Sequence, residues 1–282
     1  MDRALMERWI AEHFVGHLKN VVTPEMAADH PQVAGLVMYD APLVGVADAG
    51  DALFERYKSW DVIAPFHMTP CEWLPGARSV ISMFFPLSER VRASNRGDKN
   101  EISAEWLYSR FEGQIFIEQF CAELAAWLNE QGVRACVPAT DPRFAVARGG
   151  DGPLASWPGA TKDTFASNWS ERHAAYAAGL GTFSLTRGLI TKRGMAGRFA
   201  SVIVDTELEP TPRPYSDPFE YCIRCGACAR RCPAGAITLE HGKAQAPCKA
   251  FQNLQRQLHA PRYGCGKCQT AVPCEAGIPR RA

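Results

Sequence analysis

The chain has 282 residues, of which 46% are hydrophobic and 22% charged, with a formal net charge of +1. That composition suits a folded medium-sized domain with a smaller companion and excludes a disordered chain, a collagen and a coiled coil. No apolar run approaches the ~20 residues of a membrane span, and Met1 to Trp9 already carry Asp2, Arg3, Glu7 and Arg8, so no signal-peptide core is expected. The expectation is a soluble, cytoplasmic protein that contacts no membrane.

In chain order, a helix is expected over Arg3 to Lys19, then short strands at Gly35–Tyr39, Val44–Ala47 and Ser79–Phe85. Ser103 can cap a long helix running to about Glu130, which Gly132 stops. On it Ile117, Cys121, Leu124 and Leu128 follow 4-3-4 spacing, with Phe116, Phe120 and Trp127 beside them, which makes a wide buried face. Strands at Val133–Val137 and Phe199–Val204 follow. Cys121 and Cys136 read as small buried hydrophobes, and Cys71 sits in a proline-flanked loop.

Between those strands, Ser170 can cap a helix that ends at Gly179-Leu180-Gly181. Gly188, Gly194 and Gly197 then alternate with Arg187, Lys192, Arg193 and Arg198. Glycines that admit close backbone approach, set among cations, suit either a bulky ligand with polar edges or a tightly packed loop. No dinucleotide fingerprint and no phosphate-binding loop is present.

The charge is unevenly distributed. Residues 222–282 hold ten Lys/Arg and two acids, a balance of +8, and residues 1–221 hold 21 against 28, a balance of −7. The proline-rich, acidic stretch at 206–220 joins the two parts, giving expected units of 1–205 and 206–282. Eight of the eleven cysteines lie in the basic part. Cys222, Cys225, Cys228 and Cys232, followed by Pro233, form the C-x2-C-x2-C-x3-C-P run of bacterial ferredoxins, whose fourth cysteine serves the other cluster. Zinc ribbons use two separated knuckles instead, and a cytosolic chain disfavours disulfides.

Cys248, Cys265, Cys268 and Cys274 complete eight ligands, the number two 4Fe–4S clusters require. Crossing the ligands over gives one cluster on Cys222, Cys225, Cys228 and Cys274, and another on Cys232, Cys248, Cys265 and Cys268. The basic residues then offset a cluster charge of about −4. Nucleic-acid binding and a docking face for an acidic partner are the alternative readings of that charge.

Glu171-Arg172 leading to Ala178-Gly179-Leu180-Gly181, the basic loop and strand after it, the ferredoxin run, and Gly264-Cys265 to Cys268 resemble the epoxyqueuosine reductase family, which is related to reductive dehalogenases. Leu74-Pro75-Gly76-Ala77-Arg78-Ser79-Val80-Ile81-Ser82 resembles that family's proline–glycine stretch. The resemblance implies an α+β fold: a nitroreductase-like α/β domain that binds cobalamin or another corrinoid, followed by a small two-cluster ferredoxin-like domain. It further implies a base-off corrinoid held over Thr182, Phe183, Ser184, Leu185, Thr186, Arg187, Gly188, Leu189 and Ile190, with Arg198 beside it, and electrons passing through both clusters to cobalt.

Three features depart from the family. Phe165 stands where tRNA-modifying members carry an aspartate proton donor, with Asp163 two residues out of register. No helical repeats follow the clusters before Ala282, and the step from Cys268 to Cys274 is longer by two than C-x3-C-P. The expectation is therefore a short paralogue that reduces a small molecule rather than tRNA, served by a low-potential donor such as ferredoxin or flavodoxin. Candidate acids are Glu171, His173 and Tyr108; His67 is not assigned to cobalt. The alternative function is an electron-transfer protein that reduces a separate corrinoid protein or reductase without substrate chemistry of its own.

Overall fold

Four antiparallel strands form the central sheet, in the spatial order Leu43–Asp48, Ser79–Pro86, Gly197–Val204 and Ala135–Cys136. The computed structural model describes residues 1–280, so the last two positions of the expected 206–282 unit lie outside the described residues. Ser79–Pro86 is buried at every position because both faces of the sheet are covered. Strand alternation divides its side chains: Ile81, Met83 and Phe85 join one core, whereas Val80 joins another on the opposite face.

The first core is built by the helix Ala104–Glu130. Ser103 caps it by accepting from the Trp106 amide at 3.2 Å, a contact worth about 1 kcal/mol. Its Phe116, Ile117, Phe120, Cys121, Leu124 and Leu128 pack on Ile81, Met83, Phe85, Val202 and Val204. Trp127 stays partly exposed and stacks on Trp9 of the N-terminal helix, with ring centroids 5.2 Å apart.

That N-terminal helix is shorter than expected, Arg3–Phe14, because Val15 turns extended and Gly16 takes φ 71°. Residues 35–39 form isolated bridges at Val37 and Tyr39 in place of a strand. The expected strand at 133–137 is reduced to its two residues Ala135–Cys136. Cys71 is exposed within the short helix Pro70–Trp73.

On the opposite face lies the helix Glu171–Ala177, whose alanines allow it to sit close to the sheet. A Cβ at Gly45 would stand 2.3 Å from the Ala178 carbonyl, so strand and helix touch through backbone. Gly179 ends the helix at φ 75°, and the chain enters a hairpin of Gly181–Phe183 and Leu189–Thr191.

The cysteine-rich segment is irregular apart from the helices Ala227–Arg231 and Gln245–His259 and the small hairpin of Ile237–Thr238 with Gly242–Lys243. Buried polar contacts fasten it to the large domain. Lys267, 1% exposed, donates to the Asn95 carbonyl at 2.9 Å, and Asn95 donates in turn to the Cys265 carbonyl at 3.0 Å. Arg96 reaches Glu275 at 2.6 Å. These bonds cross the seam between the two parts.

Candidate iron–sulfur and ligand site

Gly226, at φ 72°, turns the backbone into the helix Ala227–Arg231, which sends Cys228 inward and Cys232 away from its three predecessors. Cys222, Cys225 and Cys228 thus meet Cys274 around one small cavity. Cys274 is held there by backbone pairing: Met195 N–H donates to its carbonyl at 3.0 Å, and Ala196 N–H to that of Glu275 at 3.1 Å.

The other wall of this cavity is Ser184, Leu185, Thr186 and Ile190. The loop 182–190 is closed upon itself, with Ser184 N–H donating to the Gly188 carbonyl at 2.9 Å and Arg187 N–H to that of Ser184 at 2.8 Å. A Cβ at Gly188 would meet Met195 at 2.7 Å and the Thr186 hydroxyl at 2.9 Å. Gly188 therefore faces packed side chains rather than an open cradle, and the segment encloses the first cysteine set.

Cys232, Cys248, Cys265 and Cys268 line a second, larger cavity of about 210 Å³. Cys248 comes from the helix Gln245–His259, where Gln252 Nε2 donates to its sulfur at 3.2 Å; the Ala236 amide donates to Cys232 at 3.3 Å. Such N–H···S bonds are among the levers that set cluster potentials.

Burial pushes the Cys265 and Cys274 thiols up to about 12, and neighbouring cysteines add in the same direction. Bound iron supplies the positive charge that lets such crowded thiols ionise.

Opposite the second cysteine set, the large domain presents Trp106, Ser109, Arg110, Arg172 and Arg198, with Leu87, Ile237 and Phe251 as apolar lining. Arg198 donates through Nη2 to Gln114, while its Nε is buried without a partner. Burial, and then Arg110, bring its guanidinium down to about 9. Arg172 is exposed to the same cavity. Arg110 donates to the Tyr263 hydroxyl at 3.0 Å, and the Tyr263 ring lies between the Arg110 and Arg256 guanidiniums at 4.7 and 4.2 Å. The cavity thus offers concentrated donors and one orphaned N–H, an arrangement that fits a ligand with carbonyl, amide or anionic edges.

The structure separates the candidate acids from this cavity. Glu171 points into the core, both carboxylate oxygens buried without a partner, and burial pushes its carboxyl up to about 8. The next residue in the helix, Arg172, is the one that reaches the cavity. His173 shares a hydrogen bond at 2.8 Å with the Ser170 hydroxyl and sits between Tyr57 and Phe183, where burial drops it to about 3. The Tyr108 hydroxyl is committed to the Met26 carbonyl at 3.0 Å, beneath the Arg262 guanidinium. His67 is 2% exposed and stacks on Trp169. Phe165 lies in a strand, Phe165–Ser167, paired with Val146–Arg148.

Local sequence does not mark Arg110 or Arg172 as cavity residues. Arg172 belongs to the Glu-Arg pair, but nothing local says which of the two faces the cavity. Arg110 is indistinguishable from a solvated helix arginine until Tyr263 and Gly264 arrive beside it.

A family model described as a 4Fe-4S binding domain matches residues 218–238. Comparison with curated proteins gives no match. Among solved structures, an epoxyqueuosine reductase aligns with 87% of this chain and 64% of its own, at 20% identity and TM-score 0.53. The epoxyqueuosine reductase from Streptococcus thermophilus aligns with 100% and 68%, at 14% and 0.55. A reductive dehalogenase, described as suggesting a mechanism for B12-dependent dehalogenation, aligns with 82% and 29%, at 16% and 0.51. The chain shares the fold of these reductases and contains a 4Fe–4S binding region. It spans less than two thirds of the first reductase's length.

Proposed function

We propose that this protein is an iron–sulfur oxidoreductase that passes single electrons through two 4Fe–4S clusters to a corrinoid, for the reduction of a small molecule. The observation that carries the reading is the cavity with four cysteines on one wall and three arginines on the other. A ligand held there lies against the second cluster, within reach for electron transfer. The shared fold with a protein described by B12-dependent dehalogenation supports a corrinoid as that ligand.

The side chains on the arginine wall suit the edges of such a group, which would extend beyond the enclosed 210 Å³. Arg110, Arg172 and Arg198 would hold its polar edges, the orphaned Arg198 Nε would find an acceptor, and Trp106 and Phe251 would cover apolar surface. When bound, a corrinoid supplies a metal centre that takes up single electrons and attacks bonds from carbon to a heteroatom. The chain's own contribution is to orient the ligand, exclude water and keep the second cluster adjacent.

Cys225 is exposed in the first set, with Phe219 and Leu239 exposed at 53% and 54% and Arg224 nearby. This surface suits an acidic low-potential donor such as ferredoxin or flavodoxin. It also suits the second reading, an electron carrier without its own substrate.

Anaerobic reconstitution with iron and sulfide, followed by titration with cobalamin, distinguishes the two. A base-off absorption change at one corrinoid per chain is expected. A protein with intact clusters and no such change would be the electron carrier. tRNA is not the substrate under this proposal, and a tRNA stem loop should leave the corrinoid spectrum unaltered.

A further inference from the structure

Where the N-terminal segment meets the long helix, His13, His17 and Glu123 bring their side chains to a single point. His13 Nε2 lies 2.8 Å from Glu123 Oε2, and His17 Nε2 lies 3.0 Å from the same oxygen. All three donor atoms fall within 4.8 Å of one another, the one such group of three among the described residues. His13 lies at the end of the N-terminal helix, and the turn through Val15 and Gly16 brings His17 back beside it.

We propose that His13, His17 and Glu123 form a binding site for a divalent metal ion of the zinc class. Two imidazoles and a carboxylate are a common zinc donor set, with a fourth position left to water. Zn–N and Zn–O distances of about 2.0–2.1 Å imply donor separations of roughly 3.3 Å in a tetrahedron. The contacts at 2.8 and 3.0 Å need to open by only a few tenths of an ångström. The side chains are 37%, 11% and 30% exposed, so the site is recessed but keeps a path for the ion and a water ligand.

The rings and the carboxylate are held in place from behind. Trp9 stacks on His13 at 4.3 Å and 15°, and Phe116 meets the His17 ring edge-on at 5.1 Å. Gln119 donates to Glu123 Oε1 at 2.6 Å, which turns Oε2 toward the histidines. Outer contacts of this kind are what fix ligand geometry in metal sites.

Without an ion, the imidazole N–H groups share Oε2. His17 Nδ1 accepts from the Lys19 amide at 3.3 Å. Metal at Nε2 transfers the ring proton to Nδ1, so that exposed contact is exchanged for water. Two separate stretches, residues 13–17 and the long helix, would then be joined by one ion.

The test uses the cluster-loaded protein, in which the eight cluster cysteines are occupied. Zinc is equilibrated by anaerobic dialysis at micromolar concentration, and zinc, iron and melting temperature are measured on each sample. The wild type is expected to take up one zinc per chain, retain its iron and melt higher. Glu123→Gln preserves an acceptor for both histidines, and His13→Phe preserves the stack on Trp9, so both should fold with normal iron. Each should weaken zinc binding at least about tenfold and lose the rise in melting temperature. Equal uptake in wild type and variants, no uptake in the wild type, or uptake only in step with iron loss would overturn the site.

Discussion

The indole of Trp106 occupies the place where a side chain at residue 266 would begin: a Cβ on Gly266 would stand 1.8 Å from Trp106 Cζ2. Gly266 lies between Cys265 and Cys268 and takes φ 66°. The long helix of the large domain therefore presses directly on the backbone between two ligands of the second set. Domain docking and cluster geometry are a single packing problem at this point.

Gly266→Ala should consequently affect metal content as well as stability. The new methyl group cannot coexist with the indole, and alanine is strained at that φ. The expected result is a fall from about eight irons to about four after anaerobic reconstitution, with the first cluster retained. Iron and sulfide analysis checks this, and full iron content in a folded variant would contradict the tight coupling.

Cys232→Ala tests the ligand crossing. The cavity places Cys232 with Cys248, Cys265 and Cys268, not with Cys222, Cys225 and Cys228. Electron paramagnetic resonance of the reduced variant should lose the cluster held by the later cysteines and keep the other. If instead the first cluster disappears alone, the four consecutive cysteines share one cluster.

Much of this arrangement is legible in the sequence because its signals are local. The helix from Ser103 carries its own cap and a repeating apolar face, and the ferredoxin run carries its spacing. The hairpin at 181–191 carries no such unambiguous signal. Its glycines and cations describe equally well a ligand cradle and a packed loop, and only the arrival of Cys222, Cys225, Cys228 and Cys274 across from it shows what the loop encloses. Arg110 and Tyr263, 153 positions apart, meet by tertiary packing that no window of sequence contains.

Two substitutions separate the walls of the two cavities. Arg198→Met removes the guanidinium with the orphaned Nε while keeping an apolar stem, so corrinoid affinity should fall about tenfold or more with iron unchanged. Gly188→Val acts elsewhere: its side chain collides with Met195, whose sulfur lies 3.3 Å from Cys274. That variant should lose iron from the first cluster. Corrinoid titration and iron content measured on the same preparations check both. A loss of corrinoid affinity in Gly188→Val with full iron would return the loop 182–190 to the ligand site.

Glu171 gives a pH signature. Its carboxyl ionises normally near 4.5 in an unfolded chain, but burial raises it to about 8 in the folded one. Below 4.5 the group is protonated in both states and costs nothing. Between 4.5 and about 8 the unfolded chain releases the proton while the folded chain retains it, so folding loses stability by up to about 1.4 kcal/mol per pH unit. Above about 8 both states are ionised and the loss levels off. Glu171→Gln keeps the shape and removes the titration. Its melting temperature relative to wild type should rise steadily from pH 5 to pH 8, whatever the offset at pH 5. Melting curves at matched scan rate and full iron content measure it, and a difference that stays constant across that range would show that Glu171 is ionised inside the fold.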